Sequence, residues 1–324
     1  MARKAQSENT TDLISRVDCK LEIYQEKLCG NGEDAYVFSI NEERALIGAF
    51  DGCGGAGAKQ YRKLQGKTGA YIASRVAAAT VKEWFNEAGE AEGDISQSMK
   101  AMIRKNLRLC SDVGAEESKL VSSMVKTLPT TAAIALIQEE NAWIRVDYLW
   151  AGDSRVYLLN ADGLAQLSVD DLSVPDAMKN LYEDGVMTNV ISLSKDFKLH
   201  HGTLYLDKPG IIITATDGCY GYLSTPMEFE YLLIHELMAA PNVAQWEHSI
   251  NKALAQVAGD DYTLVAAALD FGSFSKMQQT LFERERELYR GFIKSLSGSD
   301  LQKKMDIWDR YKDSYYRYHP KQDR

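Results

Sequence analysis

Two short apolar runs, ALIGAF at 45–50 and IIITAT at 211–216, each end on the same tripeptide, Asp-Gly-Cys. Runs this short and this apolar read as buried strands. One such ending is ordinary, because Asp and Gly suit tight turns. Two more strand-like runs begin beside paired acids: Glu33 and Asp34 precede AYVFSI, and Asp260 and Asp261 precede YTLVAAAL. A turn preference does not explain why acids recur at both kinds of strand end. Strand ends are where a rigid sheet can aim carboxylates at a shared point. Converging carboxylates repel one another unless cations neutralise them. The chain must therefore fold so that several strands finish or start together, around an acidic pocket.

The remaining pattern fills in the scaffold. CKLEIYQ alternates apolar and polar positions, and AYVFSI and ALIGAF, joined by NEER, read as a hairpin. Helical spacing is expected over Gly66–Phe85 and Ile95–Cys110, the latter with Ile95, Met99, Met102, Ile103 and Leu107 on one stripe. Strands return at TAAIALI, WIRVDYLW and RVYLLN; residues 170–205 are mixed and polar and read as an inserted loop; a helical region spans Met227–Ala258. Antiparallel runs of strands with helices between the runs indicate α+β layering rather than a βαβ repeat.

Beyond Gly272 the character changes. Phe274, Met277, Leu281, Leu288 and Phe292 lie at helical spacing with ERERE on the other face. Ser299 with Gln302 forms a candidate capping box for a second helix carrying Leu301, Met305, Trp308, Tyr315 and Tyr318, stopped at Pro320. The expected organisation is a polar tail at 1–18, a main domain at 19–272 and a helical extension at 273–324. The extension's apolar faces either pack on the main domain, the reading composition favours, or form a partner-binding or self-association surface over 274–318.

Composition excludes several classes. Over 324 residues the net charge is −9, with a pI near 5.2, so nucleic acid is not an expected partner. No stretch approaches the ~20 apolar residues of a membrane span, so no membrane partner is expected, and the start MARKAQSENTTD lacks the apolar run of a secretory signal. Five scattered cysteines (Cys19, Cys29, Cys53, Cys110, Cys219) suit reduced thiols and a cytoplasmic location.

Oxygen ligands alone select Mg2+ or Mn2+ over zinc. A pair of such ions can lower the pKa of a water and clamp phosphoryl oxygens, so that no side-chain nucleophile is needed. No cysteine here has an arginine six positions later, so the Cys-x5-Arg type of phosphatase is absent.

The ordered motifs GEDAYVF (32–38), AFDGCGG (49–55), TTAAIALI (130–137), AGDSRVYLL (151–159), TATDGCYGYL (214–223) and GDDYTLVAAAL (259–269) resemble those of the type 2C family of metal-dependent protein phosphatases. The resemblance covers roughly Cys19 to Phe271. It implies a four-layer αββα sandwich, two central antiparallel sheets flanked by helices, and hydrolysis of phosphoserine and phosphothreonine on phosphoprotein substrates. It implies Mg2+ or Mn2+ as cofactor, two ions with a third held more loosely. Asp51 would bridge the pair, the Gly52 carbonyl and Glu33 would serve one ion, and Asp217 and Asp260 the other. Asp51, Asp217 and Asp260 would thus carry catalysis. Asp153, in GDSR, would join Asp217 at the third ion. Asp261 and Asp34 would support the ligands from behind.

One family feature is missing. Many members carry a phosphate-holding Arg four residues before the Glu; here that position is Cys29, and a thiol cannot replace a guanidinium fork. Lys27 is the candidate substitute, against the simpler reading of a solvated lysine. Cys29, Cys53 and Cys219 also raise the expectation of an oxidant-sensitive site. The competing readings are weaker. GCGGAG at 52–57 fits a dinucleotide loop, but an Asp stands before its first Gly and no strand ending in an acid follows at the required distance. GKT at 66–68 lacks the earlier Gly of a phosphate loop. His200 and His201 point to opposite sides of any strand and so do not make a ligand pair. A catalytically weak or inactive phosphatase-like binding or scaffolding module is the alternative that the missing Arg and the added helices favour.

Overall fold

The computed structural model describes residues 13–87, 93–114, 127–174, 176–183 and 185–319. A helical turn, Leu13–Arg16 (α1), runs directly into Val17–Gln25 (β1). The hairpin Ala35–Ile40 (β2) and Arg44–Phe50 (β3) follows. A small ribbon, Gln60–Tyr61 (β4) and Lys67–Thr68 (β5), leads into the helices Gly69–Glu87 (α2) and Ile95–Gly114 (α3). Next come Ala132–Glu140 (β6), Trp143–Ala151 (β7), Arg155–Asn160 (β8), Gly163–Gln166 (β9), His200–Leu206 (β10) and Gly210–Ala215 (β11). Two helices, Pro226–Ala239 (α4) and Val243–Ala255 (α5), precede Tyr262–Leu269 (β12). Phe274–Gly291 (α6) and Leu301–Tyr315 (α7) complete the described elements.

The strands make two antiparallel five-stranded sheets, ordered β1-β12-β11-β8-β9 and β10-β7-β6-β3-β2. Alternate residues of one strand serve different layers, because side chains alternate across a strand. In β6, Ala132, Ile134 and Leu136 pack under α2 and α3, while Ala133, Ala135 and Ile137 face the other sheet. In β12, Leu264, Ala266 and Ala268 face α4 and α5, while Val265, Ala267 and Leu269 face the second sheet. Both faces of each central strand are therefore buried. That is why ALIGAF, IIITA and TLVAAAL read as continuous apolar runs rather than alternating ones. The layers run helix, sheet, sheet, helix, as the resemblance implied. Among the described residues no helix is long and apolar enough to cross a membrane.

Several boundaries differ from the sequence reading. Leu13 is fully buried between the sheets and β1 begins at Val17, so residues before Cys19 belong to the main domain; residues 1–12 lie outside the described residues. The stretch read as a loop over 170–205 yields β10, an edge strand whose outer face is wet and therefore polar. The helical region at 227–258 is two helices, broken at Pro241 and restarted by the Asn242 side chain, which accepts from the Gln245 amide at 3.0 Å. The cap of α7 is Asp300, accepting from Lys303 N at 2.9 Å, rather than Ser299, whose hydroxyl donates to the Ser295 carbonyl. Leu301 is consequently exposed, Tyr318 lies past the helix end, and the buried face is Ile307, Trp308, Tyr311 and Tyr315.

The extension's apolar faces touch this chain itself. Met277, Leu281 and Leu288 of α6 join the same apolar cluster as α4, α5 and the first sheet, and so do the four buried residues of α7. A buried ion pair reinforces the contact. Arg284 of α6 donates to both carboxylate oxygens of Glu230 on α4, at 2.6 and 2.9 Å, and the Tyr311 hydroxyl of α7 bonds the same carboxylate.

Candidate active site

Strand register brings the acidic positions to one end of both sheets. Ala35 pairs with Phe50, so Glu33 and Asp34, just before β2, stand beside Asp51, just after β3. In the other sheet Ala215 pairs with Leu264 on one side and Arg155 on the other. Asp217, Asp260, Asp261 and Asp153 flank those same strand ends. Asp51 and Asp153 are half-buried, and Asp217 and Asp260 are open to solvent, so the acids line an open cleft rather than a closed cavity.

Two of the acids spend their oxygens on the scaffold. Asp34 is almost fully buried, and its Oδ2 accepts from the hydroxyls of Thr216 and Thr263, both at 2.8 Å. It ties the start of β2, in one sheet, to the ends of β11 and β12 in the other. Asp261 accepts from the backbone amides of Lys27 at 2.7 Å and Glu33 at 2.6 Å, one with each oxygen. It thereby fixes the loop that carries Glu33. Gly218 permits this closeness: a Cβ there would stand 1.9 Å from the Asp261 carbonyl oxygen.

The others are held more lightly, by their backbones or by a bond to one carboxylate oxygen, as the Asp261 amide makes to Asp260 at 2.9 Å. The Asp51 carbonyl accepts from the Thr130 hydroxyl at 2.7 Å and the Thr131 amide at 2.8 Å, while its amide donates to the Thr131 hydroxyl at 3.2 Å. Gly52 forms a bridge with Thr130. The Glu33 carboxylate takes a hydrogen bond from the Thr68 hydroxyl, and its carbonyl takes one from Ser74. The Tyr220 hydroxyl donates to the Asp153 carbonyl.

The electrostatics follow from this convergence. Burial, then the charges of Asp217, Asp34, Asp153 and Asp260, push the Asp51 carboxyl well above the usual carboxylate range. Asp217 is exposed at the cleft mouth, yet the protein packed around its carboxyl, and then the charge of Asp260, push it upward. Burial raises Asp34 to about 7 against its two threonine donors, and burial with Asp217 raises Asp153 to about 8. Burial raises Glu33, with Asp261 and Asp260 adding to it and the Thr68 bond opposing it. Among the described residues no three His, Cys, Asp or Glu side chains stand close enough to hold an ion as they are. The acids share one field without closing into a ligand sphere. The donor set nevertheless fits a hard cation: it is all oxygen, and its self-repulsion is of the kind a divalent ion relieves.

Lys27 sits at the rim, where its ammonium donates to the Gly259 carbonyl next to Asp260. Cys29 is exposed and Cys53 half-buried. Cys219 is buried, with its thiol donating to the Thr263 carbonyl at 3.2 Å and pushed up by burial, which makes it a filler rather than a reactive thiol. His200 and His201 face different carboxylates, Asp171 and Asp147, each at 2.9 Å. Neither joins the acidic cleft.

Sequence reasoning missed the residues that hold the acids: Thr68, Thr130, Thr131, Thr216, Thr263 and Tyr220. It also missed Tyr222, a half-exposed ring lying against Gly259 whose phenol is raised by burial and by the charges of Asp260, Asp217 and Asp51. The repeated threonines beside the acidic motifs, PTT at 129–131 and TAT at 214–216, were the available signal.

The family profile for protein phosphatase 2C matches residues 29–256. Among solved structures, the serine/threonine phosphatase Stp1 from Staphylococcus aureus aligns over 83% of this chain and 100% of its own, at 18% identity and a TM-score of 0.60. The serine/threonine phosphatase PstP/Ppp of Mycobacterium tuberculosis aligns over 78% of this chain and 99% of its own, at 18% identity and a TM-score of 0.54. A PstP catalytic domain in complex with two manganese ions aligns over 78% and 99%, at 17% identity and a TM-score of 0.51. At such identities these likenesses speak for the fold. No curated protein sequence matches.

Proposed function

The chain belongs to the protein phosphatase 2C family of serine/threonine phosphatases, and from that premise we propose that it hydrolyses phosphoserine and phosphothreonine on proteins, with Mg2+ or Mn2+ as cofactor. The observation that carries this reading is the convergence of Glu33, Asp51, Asp153, Asp217 and Asp260 at one end of two sheets, where burial and neighbouring charge raise the carboxyls of Glu33, Asp51, Asp153 and Asp217. Glu33, Asp51, the Gly52 carbonyl, Asp217 and Asp260 would hold two ions, with Asp153 and Asp217 serving a third. Bound there, such ions supply a water of lowered pKa and positive charge against the phosphoryl oxygens.

The chain's own part is orientation. Thr130 and Thr131 fix the Asp51 backbone, Thr68 turns the Glu33 carboxylate, and Asp261 pins the Glu33 amide. Asp34 locks the two sheets together beneath the cleft. Asp51, Asp217 and Asp260 are the carboxylates that touch the reacting centre, while Asp34 and Asp261 act through their neighbours. In the reaction water adds to phosphorus as the serine or threonine oxygen leaves and takes a proton, giving the free hydroxyl and inorganic phosphate. Lys27, at the rim beside Asp260, is the candidate cation for the phosphate where the family's arginine is replaced by Cys29.

Chelator-treated protein assayed on a phosphothreonine peptide tests the reading. Turnover that returns with Mn2+ or Mg2+ supports it. Saturable Mn2+ binding without any phosphate release would favour the binding-module alternative, which the missing arginine motivates.

A further inference from the structure

A buried polar network joins the C-terminal helix to the turn that carries Asp153. Arg155, two residues after Asp153, is 3% exposed and bonds the carboxylate of Asp170 through Nε at 3.0 Å and Nη2 at 2.6 Å. Its third nitrogen donates to the hydroxyls of Tyr157, at 3.3 Å, and Tyr315 of α7, at 3.4 Å. The same guanidinium lies 4.1 Å above the ring of Tyr220, whose hydroxyl holds the Asp153 carbonyl. From Asp170 the network passes to Asp171, which donates its amide to the Gly152 carbonyl and accepts from the Gly152 amide, both at 3.0 Å. The Gly152–Asp153 turn is thus held on one side by Asp171 and on the other by Tyr220. Gly152 has φ of 90°, and a Cβ there would meet the Thr131 side chain at 2.7 Å, so the turn has little freedom to take another shape.

The same helix grips the segment that follows Asp171. The Tyr316 hydroxyl, one residue past the end of α7, accepts from the Ala177 amide at 2.7 Å. The Trp308 indole donates to Asp176 at 3.2 Å. A helix that only covered a sheet would need apolar contacts. Here the polar tips of Trp308, Tyr315 and Tyr316 all address residues between 155 and 177. A buried Arg–Asp pair is a poor source of net stability, since its desolvation offsets its attraction, but it imposes direction.

We infer that α7 is a positioning element for the cleft: through Tyr315 and Arg155 it seats Tyr220 against Asp153, and through Tyr316 and Trp308 it seats Ala177 and Asp176, which follow the Asp171 that holds Gly152. The inference rests on the reading of Asp153 as a cation-holding residue, and one of its two readouts is independent of that reading.

The test uses the full chain with Tyr315→Phe and Tyr316→Phe combined, which removes two hydroxyls and keeps both rings. Tyr311→Phe is the matched control, because that hydroxyl turns to Glu230 instead. Hydrogen exchange at residues 152–153 and 170–183 is measured first, without metal. The double variant should exchange there about tenfold faster, the scale of one lost hydrogen bond, and the control should not. Mn2+ is then titrated calorimetrically into chelator-treated protein. Its weakest binding step should weaken several-fold in the double variant and in Tyr220→Phe, and stay unchanged in Tyr311→Phe. Equal exchange and equal Mn2+ binding in all variants, or loss of thermal stability alone, would overturn the inference. Absence of turnover in the wild-type chain would overturn the proposed activity and leave the exchange result standing.

Discussion

Removing Arg284 should cost far more than its place in a C-terminal extension suggests. The guanidinium makes two bonds to Glu230, whose side chain is wholly buried, while Arg284 itself is 11% exposed. Arg284→Met keeps much of the aliphatic stem and strands a carboxylate inside the protein. Breaking one side of a buried pair costs about 3–5 kcal/mol, because the surviving charge loses its compensation. The Tyr311 hydroxyl remains on Glu230 and recovers part of this, so the lower half of the range is expected. For a chain of 324 residues the melting temperature should fall by about 4–6 °C. Urea denaturation at pH 7 measures the free energy directly. The double variant Arg284→Met with Glu230→Leu removes both charges and should recover most of the loss, since apolar replacement of a buried pair is often neutral. A loss under about 1 kcal/mol in the single variant, or a double variant no better than the single, would refute the argument that the extension is docked through this pair.

Further outcomes follow from the cleft. Gly218→Ala should destabilise the chain by about 1–3 kcal/mol in thermal melts, because the new methyl meets the Asp261 carbonyl rather than a side chain that can move. Without divalent cations, stability should fall as pH rises from about 4 to about 8. Asp34, Asp51 and Asp153 are raised by burial, so the native state keeps protons that the unfolded chain has released, and that stabilisation is lost as pH climbs through the folded values. Urea melts at pH 5 and pH 8 in chelator check the sign, and added Mn2+ should stabilise more at pH 8 than at pH 5. Lys27→Met should raise KM for a phosphothreonine peptide several-fold with little change in kcat, as steady-state kinetics would read.

How much was legible in the sequence depended on the range of each contact. The strands of the core and the acids at their ends were readable because each motif is local: an apolar run, then Asp-Gly or a pair of acids. The α+β class was readable from the order of those runs, whereas the four-layer arrangement was implied by the family resemblance. What the acids bond was hidden. Asp34 finds its partners at Thr216 and Thr263, 182 and 229 residues away, and no local pattern encodes that meeting. Edge strand β10 was hidden because an edge strand with one wet face is polar enough to resemble a loop. The start of α7 slipped by one residue because Ser299 and Asp300 are both good caps and only the packing of Ile307, Trp308, Tyr311 and Tyr315 chooses between them. The polar tips of α7 were read as an apolar stripe, since Tyr and Trp carry a ring and a donor at once.

The central claim is that carboxylates at strand ends, through the cations they hold, do the chemistry, and Asp51 is the residue on which it depends most. The decisive measurement is phosphate release from a phosphothreonine peptide as Mn2+ is raised, for the wild-type chain and for Asp51→Asn, which keeps size and removes charge. The account predicts turnover that rises with Mn2+ in the wild type and falls about a hundredfold or more in Asp51→Asn, with the variant still folded. Turnover that ignores Mn2+, or that survives in Asp51→Asn, would contradict it.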